Sequence, residues 1–273
     1  EMGFWSPKSG IPFEFCYVYA DRNSMACRRR EWRALSIAAP SLKLDPFAEN
    51  YPLSVRAEKK FSVKDILEIF RDYYQNTPFD MTNTITTKDK EGKVVKSPVA
   101  NPFMNNEYRE LLKVYGERTI ACQRATYVQV TQSRSWLPNE IGGVVWLGYD
   151  NPYTTPHTPF YAGITRMPNS YMVDGRERYS KECAWWAFRQ VSQLCYFRFQ
   201  EMTQDVDKVY REIENNAFAK QAEFEKEILE VYNRDKAKAK KMLTDYSVKT
   251  AEDAVNRYWI LAEELWSKYT NKF

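Results

Sequence analysis

The chain has 273 residues, 44% of them apolar and 28% charged, which excludes a disordered tail and leaves room for one large domain or two modest ones. With 40 basic and 36 acidic residues the net charge is only +4, too even a balance for a surface that gathers nucleic acid. No apolar run reaches the length of about 18 residues that a membrane span needs, so no membrane partner is expected.

Residues 13–20, FEFCYVYA, alternate loosely and predict a strand. The stretch 28–39, RRREWRALSIAA, fits either helix or strand, and its opening Arg28-Arg29-Arg30, followed by Glu31, reads as a solvated face. A loop is expected from Pro40 to Pro52. Ser62 to Tyr74 predicts a helix: Ser62 and Asp65 form a capping-box start, Val63, Ile66, Leu67, Phe70 and Tyr74 share a face, and Thr77-Pro78 closes the segment. KDKEGKVV (88–95) predicts a small exposed hairpin around Gly92.

Three strands are expected next: Thr119–Thr131, rich in β-branched residues; Gly142–Tyr149, apolar as a strand covered on both faces would be; and Phe160–Thr165. From about Ser180 the pattern turns helical. Residues 183–199 read as one apolar helix, Val206, Val209, Ile213, Phe224, Ile228 and Val231 as a long amphipathic one, and Thr250 with Asp253 as the start of a last helix. Strands followed by helices give an α+β fold, with a sheet-rich part over 1–180 and a helical part over 181–273 packing on it.

The chemical inventory is sparse. The five cysteines, at 16, 27, 122, 183 and 195, are odd in number and form no CxxC, so neither a disulfide framework nor a zinc site is suggested. The single histidine, His157, sits in a Pro-rich loop and reads as a surface or loop-packing residue. HExxH, Walker and GxGxxG motifs are absent, and no metal or cofactor is expected. Two options remain: a non-catalytic peptide- or carbohydrate-binding module, or part of an enzyme whose nucleophile lies elsewhere. Glu1 stands where an initiator Met would, which suggests a fragment or a processed product.

The order of the segments carries a resemblance. FEFCYVYADR, RRREWRALSIAAPS, FSVKDILEIFRDYYQNTPFD, the stretch from Arg124 to Met172 and CAWWAFRQVSQL together resemble the C-terminal half of the bacterial dipeptidase A-type cysteine dipeptidases, relatives of the secernins, of penicillin V acylase and of bile salt hydrolase. The resemblance implies an N-terminal-nucleophile αββα sandwich, with a cysteine whose own α-amine serves as base, so no histidine is required. It implies that this cysteine belongs to a missing N-terminal half, that the substrate is a dipeptide, and that the fragment alone is inactive. An amidase of the acylase type shares that fold and mechanism and stays open.

The family's catalytic arginine falls at Arg30, or failing that at Arg33. Arg124 and Arg134 match further arginines. Arg124 is a candidate for a substrate carboxylate or for a buried ion pair, and Tyr161 for the pocket edge. Half a sandwich would leave apolar faces to be hidden by the chain's own helices, by the missing half, or by a homo-oligomer interface above about 1,000 Å². The family fits a bacterial periplasm or cytoplasm, with the periplasm favoured.

Overall fold

In the computed structural model, residues 5–10, 13, 18–19, 25–114 and 116–270 are described. The expected strand over 13–20 lies mostly outside them; of its residues Val18 and Tyr19 are helical. The first long element, α1 (Met25–Ala38), settles the helix-or-strand question over 28–39 for the helix. Pro40–Leu42 then forms one 3-10 turn.

The next helix, α2 (Val63–Phe70), begins as expected: Ser62 accepts from the Asp65 amide and the Asp65 carboxylate accepts from the Ser62 amide. It ends four residues before Tyr74, because Tyr74 is left-handed at φ 70° and its amide donates to the Asp72 carboxylate instead of continuing the helical ladder. The hairpin forms from β1 (Thr86–Lys88) and β2 (Val94–Lys96), turning at Gly92 with φ 79°. A short α3 (Asn106–Leu111) follows, with the Asn105 side chain as its cap.

A three-stranded antiparallel sheet, ordered β3-β4-β5, carries the centre. Its strands are β3 (Tyr127–Ser133), β4 (Gly143–Tyr149) and β5 (Thr158–Tyr161), with the one-turn α4 (Asn139–Gly142) leading into β4. Val130 faces Trp146, and Trp146 in turn faces Pro159. β3 starts eight residues later than expected, since 119–126 is a wall of turns. β4 is not covered equally on both faces: Val144, Trp146 and Gly148 are buried while the residues between them are half-buried.

After a short α5 (Asn169–Met172), three helices complete the fold: α6 (Ala184–Leu194), α7 (Phe199–Tyr232) and α8 (Lys236–Thr270). The expected 183–199 helix is broken at Leu194. α8 runs unbroken for 35 residues through Thr250, where a start was expected. The physical reason is local: Asp253 pairs with Lys249 one turn back on the helix surface, so its carboxylate caps nothing.

One core joins α6, α7 and α8 around Phe188, Phe199, Val206 and Tyr258. A second seals the sheet under α2, α7 and α8, with Trp146 stacked on Phe218 of α7 at 4.1 Å. The chain's own helices therefore cover the inner face of β4, the first of the three routes considered. The fold is α+β, with small antiparallel sheets and a helical C-terminal region. Among the described residues one core sheet is present, not two. No described helix is long and apolar enough to cross a membrane.

Candidate active-site cleft

The arginine run on α1 is not a solvated face. Arg28 donates to the Ala48 carbonyl, and Arg29 is 2% exposed. The Arg29 guanidinium lies over the Phe79 ring at 3.6 Å, donates to the Pro46 carbonyl and stands 3.5 Å from the buried Glu117 carboxylate. Burial pushes the Glu117 carboxyl up, and Arg29 opposes that shift. One buried cation thus holds α1, the 46–47 turn, the 79 turn and the 117 segment together.

One turn further on, Arg33 reaches Asp72: Nη2 is 2.7 Å and Nε 2.8 Å from Oδ2. The other carboxylate oxygen accepts from the Tyr74 amide, and the Asp72 carbonyl accepts from the Ala121 amide. The Tyr74 hydroxyl donates to the Arg118 carbonyl at 2.9 Å. The left-handed backbone at Tyr74 is what aims that ring at the 118 segment. Arg33, Asp72 and Tyr74 therefore fix the segment 116–124 against α1.

That segment is one wall of a cleft of about 310 Å³. Ala26 of α1 lines it, as do Phe103 and Met104, Arg109 of α3, and Glu117 and Arg124 on the fixed wall. Arg30 stands four residues after Ala26, on the same face of α1. It is half-buried and donates to Cys27 Sγ at 3.4 Å. Its positive charge works against the burial that raises the Tyr74 hydroxyl. Among the described residues Arg30 has no carboxylate partner, whereas Arg33 is committed to Asp72.

Arg124 is exposed and forms no ion pair among the described residues, so the buried-pair alternative belongs to Arg134, which binds Glu225. Tyr161, expected at a pocket edge, lies elsewhere. It is 1% exposed and donates to Glu225 Oε1 at 2.9 Å, in the core between sheet and helices. Of the expected residues the cleft lining holds Arg124; Arg30 stands one turn beyond the lining residue Ala26, and Tyr161 is remote. Sequence reasoning missed Arg29, Asp72, Arg109 and Glu117. Asp72-Tyr73-Tyr74 carried a signal, an Asp two residues before a helix-breaking turn, but the burial of Arg29 depends on rings and a carboxylate remote in sequence.

His157 is a packing residue, as expected, though not a surface one. It is wholly buried, with Nδ1 3.1 Å from Glu214 Oε1 and its amide donating to the same oxygen at 2.8 Å. Arg71 binds Glu214 as well, and donates to the carbonyls of Pro152 and Thr155 with the Tyr210 ring 4.2 Å from its guanidinium carbon. The trio pins the 152–157 loop to α2 and α7. Burial drives the imidazole below its ordinary value; Glu214 opposes this and Arg71 adds to it. Among the described residues no group of His, Cys, Asp and Glu could hold a metal ion. Of the described cysteines, Cys27 is exposed, Cys122 half-buried, and Cys183 and Cys195 buried. No described cysteine stands beside a histidine base, because the one imidazole is enclosed.

An α+β chain with an arginine-lined cleft is the class that these features define. The model of peptidase family C69 matches residues 5–212, and the chain belongs to that family. It is 24% identical over 186 residues to a probable dipeptidase of Latilactobacillus sakei, covering 67% of this chain and 34% of that protein. It is 25% identical over 170 residues to a dipeptidase of Bifidobacterium longum, covering 62% and 27% respectively. To a probable dipeptidase B of Streptococcus pyogenes serotype M1 it is 23% identical over 239 residues, covering 85% and 44%. The chain therefore spans less than half the length of these curated relatives.

Proposed function

We propose that this chain supplies part of a cysteine dipeptidase, an N-terminal-nucleophile hydrolase whose nucleophile lies in the portion of the family's length that this chain does not span. The observation that carries the reading is the family match over residues 5–212, joined to relatives named dipeptidases. The inventory of side chains supports it, since a nucleophile that uses its own α-amine, with a pKa of about 7.7–8.0, needs no histidine.

In this reading the α-amine takes the thiol proton and the thiolate adds to the peptide carbonyl. The tetrahedral oxyanion collapses to a thioester, expelling the C-terminal residue as its protonated amine, and water then hydrolyses the thioester to free the N-terminal residue and the thiol. Arg30 is the charge-stabilising residue: half-buried, one turn after the cleft-lining Ala26 and without an acid partner among the described residues, it can lower the pKa of a nearby thiol. Arg33 is the alternative, and its bond to Asp72 makes it the weaker one. Arg124 is the substrate-binding residue. The sheet β3-β4-β5 is one layer of an αββα sandwich whose second sheet comes from outside this chain, with 1–180 as its sheet-rich part and 181–273 as its helical part.

The test is Arg30→Ala in the protein that carries this segment with its cysteine. Dipeptide kcat/KM falls at least about 100-fold, and the pH profile of thiol alkylation moves to higher pH. An unchanged alkylation profile would remove Arg30 from the mechanism.

A further inference from the structure

Arg109 and Arg124 both line the cleft, close enough for their charges to interact, and neither meets a carboxylate among the described residues. Arg109 leaves the last turn of α3 and crosses Gly116, where a Cβ would stand 2.9 Å from Nη1, so the glycine leaves room for the guanidinium. Its Nε is buried and makes no hydrogen bond. Burial first, and the nearby Arg124 second, pull the Arg109 pKa down. Two guanidiniums held at one cleft repel each other, and a buried N–H without an acceptor is costly. Both deficits end when an oxyanion bridges the pair, because each planar fork matches two oxygens. The lining also includes the buried apolar residues Phe103, Met104 and Ala121. A cleft of about 310 Å³ is at the small end of ligand sites, room for a residue or two.

We propose that this cleft is a carboxylate subsite in which Arg109 and Arg124 clamp the free C-terminal carboxylate of a short peptide, with its last side chain on Phe103 and Met104. The assignment rests on the peptidase reading and adds a second specificity-determining residue, Arg109, to it. The clamp explains how such an enzyme would measure length: a peptide extended at its C-terminus carries its charge past the two arginines.

Calorimetry on the purified chain with glycyl-leucine and with glycyl-leucinamide tests this without turnover. The acid binds at least about tenfold more tightly than the amide, acetate competes with the acid only, and Arg109→Gln or Arg124→Gln abolishes the preference. Arg124 is exposed, so Arg124→Gln leaves the fold intact and keeps the test sharp. Equal affinities, no measurable binding of the acid, or a preference that survives both substitutions would overturn the clamp. Binding of inorganic phosphate without discrimination between acid and amide would assign the cleft to another oxyanion and overturn it equally. Hydrolysis is measured separately in the protein that carries this segment with its cysteine, so an intact acid preference in the chain, beside no dipeptide hydrolysis by that protein, would sink the peptidase reading and not the clamp.

Discussion

Asp72 is held by Arg33 through one carboxylate oxygen and caps the Tyr74 amide with the other, so a single buried acid links α1 to the turn that aims Tyr74 at the cleft wall. Arg33→Ala leaves that acid unpaired. Arg33 keeps some solvent contact, so the loss is that of a charged hydrogen bond, about 1.5–3 kcal/mol, and not that of a fully buried ion pair. Urea unfolding measures it; a loss below about 0.5 kcal/mol would mean the pair anchors nothing.

The Arg71–Glu214–His157 trio is more enclosed. Arg71→Met removes the cation from a buried carboxylate and from two loop carbonyls, which costs about 3–5 kcal/mol. Glu214→Leu leaves Arg71 unpaired at a similar cost. The double variant loses less than the sum, because neither charge is then stranded. Additive losses would show that the two act independently.

The same trio sets a pH dependence. His157 is held below its ordinary value of 6.5 by burial, so near pH 6 the unfolded chain binds a proton that the folded chain refuses. Its contribution is complete above pH 6.5 and is lost as pH falls through the depressed folded value. Burial alone would raise Glu214, but its bonds to His157 and Arg71 outweigh that and hold the carboxyl below its ordinary range, so its contribution is also lost on acidification, at lower pH. The melting temperature therefore drops between pH 7 and pH 5, and His157→Gln flattens the upper part of that drop. A wild-type curve that is flat over this range would contradict the assignment.

Trp146 is buried between the sheet and α7, stacked on Phe218. Trp146→Ala opens a cavity there and costs about 3–5 kcal/mol by the same unfolding measurement. A cost under about 1 kcal/mol would mean that the β4–α7 contact is not part of the cooperative core.

What could be read in the sequence follows the range of the interactions. The Ser62–Asp65 cap, the hairpin at Gly92 and the stripe of α7 are local patterns, and the structure repeats them. The end of α2 and the unbroken course of α8 were misjudged where one local signal had two uses: Asp72 caps a turn while Tyr74 still falls on the helical repeat, and Asp253 pairs along a helix instead of starting one. The cleft was legible only at Arg124. Arg109 and Glu117 join it across segments that no short pattern connects, and Tyr161 was misplaced because an aromatic strand end looks the same whether it faces a pocket or a core.

The central proposal is that the base and nucleophile of the reaction lie outside this chain. The direct measurement is incubation of the purified chain with a panel of dipeptides, followed by amino-acid analysis. The account predicts no hydrolysis above the rate in buffer. Turnover that is abolished by alkylating the chain's thiols would contradict it.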